Sequence, residues 1–151
     1  MSFSNFLSGL KSKAGELKTE ALKYKNKEFL QAAMAGSALV SMADGSVSEE
    51  EKQKMIKFIE SNDALSVFSA DDVVKAFHEF VGHIQSDKDI GEAKAYHALA
   101  KMKSNVEASR LLVRMIIAVA ASDGNFDANE KVVASKIARE LGINPAEFEL
   151  Q

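Results

Sequence analysis

The 151-residue chain contains no cysteine, no tryptophan and a single proline. Without thiols there can be no disulfide, thiolate nucleophile, cysteine-ligated zinc or iron–sulfur centre. The one proline, Pro145, leaves the rest of the chain clear of the strongest helix breaker. No run approaches the roughly 18 to 20 apolar residues needed to cross a bilayer, and the start lacks the continuous apolar core of a secretory signal. These features predict a soluble cytoplasmic chain. Charge is unevenly placed: the first 27 residues carry six lysines against Glu16 and Glu20, a balance of +4, so the remainder of a chain of net charge −3 carries −7. A basic start and an acidic body suit different partners.

What is present is apolar residues at helical spacing. The pattern predicts one all-α domain over residues 1–151, with about seven helices and a short terminal turn. Residues 3–25 place Phe3, Phe6, Leu7, Leu10, Ala14, Leu17 and Ala21 on one stripe, making 1–26 a basic amphipathic N-terminal helix. That stripe has two uses open to it: packing on the bundle, or lying on an anionic membrane surface. A second helix, about 27–43, is lined with small residues and should be buried. A third begins at Ser48, whose pattern with Glu51 is a capping box; a fourth follows Ser69, and a fifth covers about 88–103. The sixth, opened by a box of Ser104 with Glu107, runs through Leu111, Leu112, Met115, Ile116, Ile117 and Val119 and is expected to be the central helix. The seventh opens with a box of Asp127 and Glu130 and ends at Gly142, and Asn144-Pro145 caps a final turn.

A shift of 79 residues superposes Ala43-Asp44-Gly45-Ser46-Val47-Ser48-Glu49-Glu50-Glu51-Lys52 on Ser122-Asp123-Gly124-Asn125-Phe126-Asp127-Ala128-Asn129-Glu130-Lys131. The repeated unit reads as a helical hairpin, and two of them suggest a pseudo-twofold bundle. Glycine ending one helix, an apolar plug and a cap starting the next explain most of the pattern. They leave unexplained an aspartate before glycine in both copies, where the helix dipole disfavours an anion.

Asp44-Gly45-x-Val47-x-x-x-Glu51 matches the later half of an EF-hand calcium loop, but the first two ligand positions fall on Val40 and Met42, and on Val119 and Ala121 in the second copy. Neither copy is a standard EF-hand. A weaker oxygen site for Ca²⁺ or Mg²⁺ remains, drawn from Asp44, Glu51 and Ser48, and from Asp123, Asp127 and Glu130. His78-Glu79 and His83 are not a zincin motif: a spacing of five swings the second imidazole about 140° from the first. His97 is isolated. No catalytic constellation and no phosphate loop is present, so no enzyme is expected, and an acidic body argues against nucleic acid.

The paired turns Met42-Ala43-Asp44-Gly45 and Ala121-Ser122-Asp123-Gly124, their capping glutamates and the basic Phe/Lys-rich start resemble the TerB family of tellurite-resistance proteins, over essentially the whole chain. The resemblance implies two overlapping four-helix bundles around a shared hydrophobic helix. It also implies a non-enzymatic, cytoplasmic stress-response component, peripherally associated with the inner membrane, partnered by the integral membrane protein TerC and other Ter proteins. The acidic residues it marks for metal are Asp44, Glu51, Asp123 and Glu130, with Asp127 in the second copy only, because Ser48 replaces it in the first. A divalent-metal sensor or buffer, with incidental membrane association, is the alternative. Direct handling of tellurite is not expected, since carboxylates repel an oxyanion and there is no thiol to reduce it.

Overall fold

The computed structural model describes residues 26–45, 47–61, 67–121 and 126–150. The proposed helix at 3–25 and the turn residues Asp123 and Gly124 lie outside them. Within them the chain is all-helical: α1 (Lys27–Ser41), α2 (Glu49–Ser61), α3 (Ala70–Ser86), α4 (Lys88–Ala100), α5 (Val106–Ala120) and α6 (Ala128–Glu140), then a 3-10 turn at Pro145–Phe148.

Side chains start the helices much as their types demand. Asn26 Oδ1 accepts from the Phe29 N–H at 2.8 Å, and Asp87 Oδ1 accepts from Ile90 N–H at 3.1 Å. Ser69 accepts from Asp72 N–H at a long 3.5 Å. Asp127 and Glu130 form the full reciprocal capping box, at 2.8 and 3.0 Å. The expected box of Ser104 with Glu107 is not what opens α5: Asn105 is the N-cap, its Oδ1 accepting from the Ala108 N–H at 3.0 Å. An amide oxygen serves this position as well as a hydroxyl, and Ser104 falls in the preceding turn. At the end of α6, Ile143 N–H donates to Ala138 O and Gly142 N–H to Arg139 O, a Schellman closure with Gly142 at φ +76°.

The central helix is α1, not the α5 segment that its apolar girth suggested. Eleven of the fifteen α1 residues are buried, and it packs against α3, α4, α5 and α6. The reason is size: Ala32, Ala33, Ala35, Gly36 and Ala38 let neighbours approach from several sides, and a Cβ on Gly36 would meet Ile116 Cδ1 at 2.2 Å. In α5, by contrast, Arg110, Arg114 and Ala118 remain half-exposed. Helices α3 and α4 pack on one another as well as on α1, and α5 and α6 do the same. The α3–α4 crossing is closest at Gly91, where a Cβ would stand 2.4 Å from the Ile84 backbone. The C-terminal turn is tied down twice, by Ser135 Oγ donating to Leu150 O at 2.9 Å and by Arg110 Nε donating to Glu147 Oε2 at 3.0 Å.

Candidate functional site

Helix α1 stops earlier than the Asp-Gly pair. Met42 is its C-cap, and Ala43 N–H donates to Val40 O; Gly45 N–H then closes a separate turn onto Met42 O at 2.9 Å, with Gly45 at φ +94°. Glycine is therefore needed for the second bend rather than for the helix end itself. Asp44 sits past the cap, exposed, so the dipole penalty that made it conspicuous in the sequence is largely absent. Val47 is the apolar plug, 8% exposed.

What Asp44 does touch is distant in sequence. Its Oδ1 accepts from Asn129 Nδ2 at 2.7 Å, so the first turn rests on the opening turn of α6, 85 residues away. Residue 129 stands in the register of Glu50 in the first copy; an amide there can donate to a carboxylate, whereas a glutamate would repel it. That exchange of acid for amide was the one signal in the sequence for this contact, and sequence reasoning passed over it.

The other predicted acids are engaged close to home. Glu51 Oε1 accepts from the Ser48 hydroxyl at 3.0 Å while Ser48 Oγ accepts from Glu51 N–H at 3.1 Å. Asp127 and Glu130, both half-buried, are bound to each other through the α6 cap and sit on the same helix turn as Asn129. Glu49 and Glu50 pair within α2 with Lys52 at 3.7 Å and Lys54 at 3.6 Å. Asp44 is thus brought to the Asp127–Glu130 turn, while Glu51 belongs to the α2 cap. Among the described residues no group of three histidine, cysteine, aspartate or glutamate side chains stands together as a metal ligand set. Oxygen donors of the right hardness for Ca²⁺ or Mg²⁺ are present, but they do not by themselves complete a cage. A hollow of about 400 Å³, lined by Met42, Gly45, Ile84, Gln85 and Lys88, flanks the turn.

Histidines 78, 83 and 97 are all exposed. Tyr96 is the group whose titration is most displaced: burial first, then the charges of Glu92 and Glu140, push its phenol up to about 12, with Lys136 Nζ 5.2 Å from the ring centroid. The side-chain hydrogen bond to Glu147 raises the pKa of Arg110. Neither group is placed for proton transfer at neutral pH.

The described residues form an all-helical domain built around one small-residue helix, with Asp44 of the first turn hydrogen-bonded to Asn129 at the start of α6. The comparisons give it a family. The model described as tellurite resistance protein TerB matches residues 30–151, and the chain belongs to that family. A tellurium resistance protein TerB from Alcaligenes sp is 36% identical over 116 residues, 76% of this chain and 95% of that protein. No solved structure gives a significant match. No helix among the described residues is long and apolar enough to cross a membrane.

Proposed function

We propose that this TerB-family chain serves tellurite resistance without catalysis, as an adaptor at the cytoplasmic face of the membrane that binds TerC and other Ter proteins. The acidic face around Asp44 is its working surface. The Asp44–Asn129 hydrogen bond is the observation that carries this reading, because it places one turn of the repeated motif against the helix start of the other. A divalent ion of the Ca²⁺ or Mg²⁺ type would recruit its oxygens from among Asp44, Asp123, Asp127 and Glu130, of which the described ones do not stand together as a ligand set without it, and it would supply positive charge to carboxylates that otherwise repel one another. Glu51, held in the α2 cap, is the remaining acid of the set. Residues 3–25 are the segment offered to the membrane surface.

The test is calorimetric titration of the chelator-stripped full chain with Ca²⁺ and with Mg²⁺, followed by capture of TerC from detergent-solubilised membranes with and without the ion. Binding heat weakened about tenfold or more by Asp44→Asn, together with capture of TerC, is expected. Heat without capture would make the chain an ion sensor or buffer instead. Capture without heat would remove the ion and leave the adaptor, and the absence of both would end the proposal.

A further inference from the structure

A cleft of about 530 Å³ opens between the start of α1 and the first half of α3, from Phe68 to Glu79. Asn26, the α1 cap, stands in its lining, so the chain preceding α1 joins the domain at the mouth of the cleft. Its apolar lining is Phe68 with the largely covered Leu30 and Ala76, and its charged lining is Lys27, Asp72, Lys75 and Glu79, which balance to zero. Phe68 is only half-buried, although its ring stacks on Phe29 with centroids 6.2 Å apart.

We propose that this cleft is the docking site for the chain's own N-terminal segment, residues 3–25. Two independent facts meet here. The segment carries an apolar stripe that needs cover, with Leu10, Ala14, Leu17 and Ala21 nearest the point of attachment, and the cleft offers the half-buried ring of Phe68 close to that point. An amphipathic helix laid in a groove is a common mode of recognition. A tethered ligand also meets its site at an effective concentration of order millimolar, so modest intrinsic affinity suffices. The same stripe is the one offered to the membrane above, so the docked and membrane-bound forms exclude each other. Docking itself needs neither membrane nor metal, and its test stands apart from that of the proposed function.

Because the chain has no native cysteine, Asp71→Cys in the full-length protein gives a unique attachment point for a nitroxide on an exposed residue beside the cleft. Amide NMR signals of residues 14–25 should fall at least twofold relative to the reduced label. A label at Lys88→Cys, roughly 25 Å further along the helix direction, should leave them unchanged. Adding Leu17→Glu to the Asp71→Cys chain should restore the signals. No loss with the Asp71 label, or equal loss with both labels, overturns the proposal. So does loss that appears only when isotopically labelled chain is mixed with separately nitroxide-labelled chain, which would make the occupant a second copy.

Discussion

The two copies of the Asp-Gly motif share a sequence pattern but are used differently. In the second, the helices on either side of the turn, α5 and α6, pack on one another, and α6 also reaches α1 and α4. In the first, α1 and α2 make no extended contact; α2 lies instead against α3 and α5. The hairpin expected from the repeat is thus a packed unit in one copy and an opened one in the other. The caps differ in the same sense. Glu130 accepts from the backbone N–H of its cap residue Asp127, whereas Glu51 accepts from the Ser48 hydroxyl. A repeat in sequence therefore conserves the local punctuation and leaves the partners to be chosen by the rest of the chain.

The most forceful way to break this comparison is to empty the core under each motif. Ile137→Ala in α6, a side chain 1% exposed, should cost about 2–5 kcal/mol in urea unfolding, because α6 is packed on several elements and the site cannot easily collapse. Ile56→Ala in α2, at 7% exposed and with fewer neighbouring helices, should cost measurably less; equal losses would mean the copies are equally embedded. The bond that joins the copies is a smaller term. Asp44→Ala and Asn129→Ala, taken singly and together, should give a coupling of about 0.5–1 kcal/mol, since the pair is exposed. Additive losses would show that the contact does no work in solution.

The remaining effect, at the meeting of α6 and α4, is absent at neutral pH and appears only in alkali. Spectrophotometric titration should show Tyr96 ionising near 12 rather than the ordinary 10. The sign follows from proton binding. Between pH 10 and 12 the folded chain holds the phenolic proton and the unfolded chain has released it, so stability from this group is intact below about pH 10 and falls as pH rises toward 12. Tyr96→Phe should flatten that fall, and an unchanged alkaline limb would place its origin elsewhere.

Much of the helical scaffold was readable because its causes are local. Spacing of Val73, Phe77, Phe80, Val81 and Ile84, the Asp127–Glu130 box, Gly142 at positive φ and Asn144-Pro145 all act within a turn or two of helix. Even locally there was a limit: Ser104 and Asn105 are both competent caps, and composition could not choose between neighbours. The candidate site was only half legible. The acids were named, but which of them meet depends on how helices pack.

The sequence by itself determined that this is an all-helical member of the TerB family, where most of its helices begin and end, and which residues carry its acidic charge, because periodicity, capping and motif identity are properties of neighbouring residues. Only the tertiary structure decided that the small-residue helix α1 takes the centre, that α2 leaves its partner in the repeat, and that Asp44 is met by Asn129. Those outcomes turn on close approach and on contacts 85 residues apart, which no local pattern encodes.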